Sequence, residues 1–108
     1  MGGVLDKDAL KNAVQAGRLE WQRHALERML ERGISREEVF RSLLSGEEIE
    51  DYPDDLPYPS ALYFSRTGQG PLHVVVALDQ VGAHVFIVTA YRPDLAHFEA
   101  DLRTRRTT

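Results

Sequence analysis

The sequence predicts an α+β fold, in which two to three N-terminal helices pack on a twisted antiparallel sheet of three to four strands. Up to Gly46 the apolar residues recur at helical spacing, whereas after Pro59 they form three runs rich in Val, Ile, Phe and Tyr. A length of 108 residues suits one domain over residues 1–108. We therefore expect helices first and a sheet second, followed by a short C-terminal helix.

The first two helices are predicted from their start and stop signals. Asp6 is suited to cap a first helix that ends before Gly17, and Leu19–Trp21 is typical of a short extended piece. A second helix is predicted over Arg23–Arg32, because apolar residues repeat at helical spacing there and Gly33 follows. Both helices are amphipathic, so each is expected to bury one face.

A third helix is predicted over Arg36–Ser45. Ser35 and Glu38 have the spacing of a capping box, and Gly46 marks the end. Only three residues separate this helix from the second one, so we expect the two helices to form a tight corner.

The periodicity changes after Gly46. Residues 47–52 are acidic and indicate an edge strand, and residues 53–60 contain three prolines and indicate a loop. Three strands of an antiparallel meander are predicted over residues 61–66, 72–78 and 83–91. The middle strand is apolar on both faces, which predicts that it lies inside the sheet. A short helix is predicted over about 95–102.

The charge of the chain is unevenly distributed. Its formal net charge of −4 by itself disfavours a nucleic-acid partner. Residues 37–60 contain eight acidic residues and one basic residue, whereas both flanks are mildly basic and rich in arginine. The acidic 47–55 edge lacks the spacing of a calcium loop, so it forms either a solvated rim or a docking edge for a protein partner.

Composition excludes several classes of function. The chain has no cysteine, which rules out disulfides, thiolate zinc sites and cysteine nucleophiles. Its N-terminus has no basic segment followed by a long apolar stretch, so we expect a cytoplasmic protein without membrane association. His84 and His97 lack the spacing of metal ligands and are interpreted as surface residues; neither a metal nor another cofactor is expected.

Two groups of residues are candidates for phosphate chemistry. His24, Arg28 and Arg32 fall on one stripe of the second predicted helix. The stripe either binds phosphate, aided by the helix N-terminus beside His24, or is a solvated face balanced by Glu27 and Glu31.

The second group lies on the predicted sheet. His73 either hydrogen-bonds a neighbouring carbonyl or, if the helix packs across the sheet, pairs with His24 for acid–base cleavage of a phosphodiester. Tyr91 and Arg92 end the last strand, and alternation sends them to opposite faces unless Pro93 bends the chain. Arg92 is favoured as the polar contributor, whereas Tyr91 shares a face with apolar residues.

Short motifs in a fixed order resemble a known family. They run from His24 to Met29, from Glu31 to Ser35, from Tyr52 to Asp55, from His73 to Val75 and from Thr89 to Pro93. The chain resembles the domain of unknown function 4258 family from about Trp21 to Arg106. That family is similar in organisation to RelE-type and BrnT-type ribonuclease toxins, and its genes often neighbour one for an antitoxin-like protein.

The resemblance implies a RelE-like fold and a toxin-like, metal-independent endoribonuclease that cleaves RNA by acid–base chemistry. It implies catalytic roles for His24, His73 and Tyr91, and phosphate or RNA contacts for Arg28, Arg32 and Arg92. An RNA ligand requires the acidic 47–55 edge to lie away from His24 and His73, where an antitoxin-like partner then docks; an edge that folds over these residues argues against the ribonuclease function. The alternative is a non-catalytic module that binds protein or nucleic acid, with structural histidines.

Overall fold

A computed structural model describes residues 5–105 of the chain. Within this range it contains three helices and five strands. In chain order these are α1 (Lys7–Gln15), β1 (Leu19–Trp21), α2 (Arg23–Arg32), α3 (Arg36–Ser45), β2 (Glu47–Tyr52), β3 (Ser60–Thr67), β4 (Gly70–Asp79) and β5 (His84–Tyr91). The predicted α+β class is therefore confirmed.

The helices begin and end where their capping residues predict. The Asp6 side chain accepts hydrogen bonds from the first backbone N–H groups of α1. Ser35 and Glu38 form the complete capping box of α3. Gly33 ends α2 with a φ of 67°, a left-handed conformation that glycine adopts without steric cost.

The sheet has more strands than the sequence predicts. Its order is β1-β5-β4-β3-β2, which places the apolar β4 at the centre as expected. The prediction of three to four antiparallel strands is wrong, because Leu19–Trp21 joins the sheet as a fifth strand parallel to β5. Three residues carry almost no strand periodicity, and their pairing partner lies more than sixty residues along the chain.

The two faces of the sheet are covered differently. Leu72, Val74, Val76 and Leu78 alternate along β4 toward the main core, which the three helices close. We call this the helix face and the opposite side the back face. His73 lies between Leu72 and Val74 in the strand, so its side chain lies on the back face. There it is beside Phe64, its register partner on β3.

The predicted helix over 95–102 is wrong. Residues 94–105, here called the C-terminal segment, form successive turns closed by an isolated antiparallel bridge between Phe98 and Arg105. Leu102 adopts a φ of 60°, which interrupts any helix. Helical propensity is overridden because the bridge and the contacts with the back face require the segment to fold back on itself.

Candidate functional site

His73 is the centre of a small cluster on the back face. Its exposed fraction is 0%, and its register partners are Phe64 on β3 and Tyr91 on β5. Phe98 of the C-terminal segment covers the imidazole edge-on, with the ring centres 4.6 Å apart. The cluster therefore depends on three strands and on the segment that lies over them.

Both ring nitrogens of His73 have partners. Nε2 lies 2.7 Å from the backbone oxygen of Leu102, which can only accept, so Nε2 carries a proton. Nδ1 lies 3.2 Å from the Tyr91 hydroxyl. Burial lowers the pKa of His73, with the Leu102 carbonyl acting in the opposite direction. In the neutral imidazole Nδ1 is an acceptor, so the Tyr91 hydroxyl donates to it.

Tyr91 bonds to the buried His73 and also lines a cavity of about 640 Å³. Burial raises the pKa of Tyr91, which keeps the phenol protonated at neutral pH. The cavity contains more basic than acidic side chains and includes a single carboxylate. Its lining residues are Arg32, Tyr91, Arg92, Pro93, Asp94, His97, Phe98 and Arg105. Arg92 and Arg105 are ion-paired with Glu38 and Glu50, so among the described residues Arg32 is the guanidinium of this lining without a carboxylate partner. Its free donors suit a phosphate-bearing ligand.

Arg32 enters the cavity from the last residue of α2. Its Nη1 donates to the Ala90 carbonyl oxygen at 2.9 Å and reaches Thr89 Oγ1 at 3.5 Å. A guanidinium has five N–H donors, so these contacts orient the group while leaving donors for a ligand. The packing of α2 on β5 thus places one residue of the predicted stripe in the cavity.

Arg92 reaches the same cavity from the residue after β5. Its Nη2 lies 2.9 Å from Glu38 Oε2, in an ion pair that is mostly buried. Strand alternation predicts that Tyr91 and Arg92 do not share a site, but both line this cavity. Alternation does not extend to Arg92, because β5 ends at Tyr91 and Pro93 follows.

The structure does not bring His24 to His73. His24 is exposed in the first turn of α2, which packs on the helix face, whereas His73 lies on the back face. His24 lies ~12 Å along the helix axis from Arg32. Arg28 is also exposed and forms an ion pair with Glu31 at 3.0 Å. Neither His24 nor Arg28 lines the cavity, so their predicted roles have no geometric link to it.

The C-terminal segment supplies site residues that sequence reasoning missed. His97, interpreted above as a surface residue, lines the cavity with Asp94 and Arg105. The overlooked signal for His97 is its three-residue spacing from Asp94, directly after Pro93. That spacing permits a local pair, and here His97 Nδ1 lies 2.9 Å from Asp94 Oδ1.

The acidic 47–55 edge is partly neutralised by the chain itself. Arg103 Nε lies 2.7 Å from Glu47, and Arg105 donates to both oxygens of Glu50. These two arginines tie the C-terminal segment to β2. Two strands separate β2 from β5, but the edge is not remote from the site: Arg105, the partner of Glu50, lines the cavity, and Glu50 acts electrostatically on His73 and Tyr91.

Residues 5–105 contain neither a cluster of metal-ligating side chains nor a membrane-spanning helix. In this range there is no group of three or more histidine, aspartate or glutamate side chains arranged to hold a metal ion. No helix in the same range has both the length and the apolar character required to cross a membrane.

Comparison with known proteins identifies the family. A family model described as domain of unknown function (DUF4258) matches residues 21–92, two thirds of the chain. The chain belongs to this family. A search of curated proteins returns no match. The matched region includes His73, Tyr91 and Arg92, whereas the C-terminal segment that completes the cavity follows it.

Proposed function

We propose that this protein is a toxin-like, metal-independent endoribonuclease of RelE-like organisation, and that the cavity around Tyr91 is its reaction centre. The observation that carries the proposal is the Tyr91–His73 hydrogen bond at a cavity lined by three arginines. A phenol backed by an unprotonated imidazole nitrogen can accept a proton on its own oxygen while passing one inward. Arg32 supplies positive charge for a phosphodiester, and Arg92 and Arg105 add N–H donors although each is paired with a glutamate.

The proposed first step forms a cyclic phosphate. The ribose 2′-hydroxyl transfers its proton to the Tyr91 oxygen as the phenol proton moves to His73 Nδ1. The 2′-oxygen attacks the adjacent phosphorus, the bond to the 5′-oxygen breaks, and a 2′,3′-cyclic phosphate results. Negative charge increases on the phosphoryl oxygens during this step, which places the stabilising role on Arg32, Arg92 and Arg105.

The predicted stripe on α2 has a place in this proposal. Arg28 and His24 lie ~6 and ~12 Å from Arg32 along the helix axis. Both are exposed, so they are available to phosphates that flank the scissile one. Their proposed role is affinity, whereas proton transfer belongs to Tyr91 and His73. The acidic edge meets the cavity at Glu50, whose charge is neutralised by Arg105, and the exposed carboxylates Asp51, Asp54 and Asp55 lie on β2 and the loop after it.

The test is cleavage of single-stranded RNA by the purified protein in EDTA. The wild type is expected to release fragments ending in a 2′,3′-cyclic phosphate, detectable by mass spectrometry. Tyr91→Phe removes the hydroxyl and is expected to lower kcat by about 100-fold. Tyr58→Phe is the matched control, because Tyr58 stacks on Phe86 outside this cavity. Absence of cleavage by the wild type, or full activity of Tyr91→Phe, contradicts the proposal.

A second candidate is a non-catalytic interaction module. It is favoured by one observation: both nitrogens of His73 bond within the protein, as a purely structural histidine requires. In this case the cavity binds RNA without cutting it, which a binding assay with intact RNA recovery reveals.

In either case we propose that an antitoxin-like partner docks on the acidic 47–55 edge. Asp51, Asp54 and Asp55 are exposed there, which supports a basic docking surface on the partner. Replacing Asp51 and Asp54 with asparagine is expected to weaken that complex and to leave RNA binding unchanged.

A further inference from the structure

We infer that His97 is the general acid that protonates the leaving 5′-oxygen, with Asp94 as its positioning residue. The inference rests on the proposed function and extends it to the half of the reaction that Tyr91 and His73 do not perform. His97 and Tyr91 line the same cavity, which places the two groups at one candidate site.

Asp94 holds His97 in one orientation. Its Oδ1 accepts from the backbone N–H groups of Ala96 and His97, each at 3.1 Å, and from His97 Nδ1 at 2.9 Å. A carboxylate bonded to Nδ1 requires a proton on that nitrogen. Nε2 is then the nitrogen available to a ligand, and within residues 5–105 it has no hydrogen-bond partner.

Asp94 is a charged partner for His97. The hydrogen bond from His97 lowers the pKa of Asp94, so the carboxylate remains charged at neutral pH. Arg32, Arg92, Arg105 and Tyr91 line the same cavity.

Exposure distinguishes the two histidines. The His97 side chain is 71% exposed, whereas His73 is fully buried. A group that donates a proton in every turnover must recover one from water, and an exposed imidazole does so directly. The Tyr91–His73 pair is suited to hold a proton only briefly, because the proton on His73 returns to the cavity through the Tyr91 hydroxyl.

The proton balance of the whole step is then complete. The 2′-hydroxyl proton passes to the Tyr91–His73 pair as the 2′-oxygen bonds to phosphorus. The His97 Nε2 proton passes to the 5′-oxygen as its bond to phosphorus breaks. One proton is taken up and one is released, and solvent exchange restores both groups.

The test compares two leaving groups. His97→Gln is expected to lower kcat on ordinary RNA by about 100-fold and to leave KM within a few-fold. On RNA with a sulfur in place of the scissile 5′-oxygen, the same variant is expected to react near the wild-type rate, because a thiolate leaves without protonation. Tyr91→Phe is expected to remain slow on both substrates.

Two further variants complete the test. Asp94→Asn keeps the size of the side chain and is expected to lose less kcat on ordinary RNA than His97→Gln does, and to react at the wild-type rate on the sulfur-containing RNA. His84→Gln is the control, because His84 is an exposed histidine outside the cavity.

The outcomes separate this inference from the proposed function. If the wild type cleaves RNA and His97→Gln is equally fast, or is slow on both substrates, the general-acid role is wrong and the proposed function stands. If the wild type cleaves neither substrate, the proposed function fails and the role of His97 fails with it.

Discussion

The Nε2 atom of His73 lies 2.7 Å from the carbonyl oxygen of Leu102, a contact that ties the central strand to the C-terminal segment. Leu102 has a φ of 60°, an uncommon conformation for a residue with a side chain. Folding of the segment and the protonation state of His73 are therefore coupled.

That coupling predicts how stability depends on pH. The pKa of His73 is lowered in the folded state, so the unfolded chain takes up its proton first as pH falls. The stability that neutral His73 contributes is fully present above its ordinary pKa of 6.5. This stability is lost as pH falls from 6.5 toward the lower pKa of the folded state. We expect the free energy of unfolding, measured with urea by circular dichroism, to decrease over this range.

Substitution isolates the effect of His73. His73→Phe is expected to lack the decrease, whereas the exposed His84→Gln is expected to retain it. An unchanged pH dependence in His73→Phe contradicts the assignment.

Phe98 is predicted to hold the C-terminal segment on the sheet. It is 3% exposed and packs edge-on against His73. Phe98→Ala is expected to cost ~3–4 kcal/mol of unfolding free energy, because it leaves a cavity over a buried ring. Val81→Ala, at a fully exposed position, is expected to change stability by less than ~0.5 kcal/mol. Similar values for the two variants, measured by urea unfolding, contradict this packing role.

Glu38 is predicted to matter far more than its neighbour Glu37. Glu38 completes the capping box, accepts from Thr67 Oγ1 at 2.9 Å and pairs with Arg92. Glu38→Gln is expected to cost ~2 kcal/mol, because a mostly buried guanidinium loses its counter-charge. Glu37→Gln breaks only an exposed pair with Arg41 and is expected to cost less than ~0.5 kcal/mol. Thermal unfolding of both variants measures the two losses of stability. Equal losses contradict the predicted role of the buried Glu38–Arg92 pair.

Arg32 and Arg28 provide a matched test of where RNA binds. They lie one turn apart on α2, but only Arg32 lines the cavity. Arg32→Gln is expected to weaken RNA binding by about 10-fold and to reduce the slope of log K against log salt by about 1. Arg28→Gln is expected to have a smaller effect, since Arg28 already pairs with Glu31. Titration by fluorescence anisotropy at several salt concentrations measures both, and equal losses favour the whole helix stripe over the cavity.

Glu48 is predicted to reduce the stability of the protein at neutral pH. One of its carboxylate oxygens is buried without a hydrogen-bond partner among the described residues, and burial raises its pKa. A raised folded pKa means that stability is highest below the ordinary value of 4.5 and decreases as pH rises through the folded pKa. Glu48→Gln is expected to increase the unfolding free energy at pH 7 by ~1 kcal/mol. The Glu48→Gln variant loses only the weak ion pair with Lys7, in which the charged atoms lie 3.8 Å apart. Lower stability of the variant at pH 7 in urea unfolding contradicts the assignment.

The helices and most strands were predictable because their signals are local. Capping at Ser35, the left-handed stop at Gly33 and the central position of β4 each follow from residues a few positions apart. The parallel pairing of β1 was not predictable, since three residues specify no register and the partner strand is distant in sequence.

The candidate site was predicted only in part. Arg32, Tyr91 and Arg92 meet at one cavity, but His24 lies on the other side of the sheet from His73. A stripe on a helix and an alternation along a strand define which residues share a face, but not which helix face meets which sheet face. Asp94 and His97 were missed because their segment carried a helical signal.

The sequence by itself determined the α+β class and the bounds of α1, α2 and α3, because caps and periodicity act over a few residues. Short motifs in a fixed order across residues 21–92 determined the family. Only the tertiary structure decided that the C-terminal segment folds over His73 and brings His97 into a cavity with Tyr91 and three arginines. Such contacts join residues far apart in the chain, and the free energy of burying Phe98 and pairing Arg103 and Arg105 with β2 outweighs a local preference for helix.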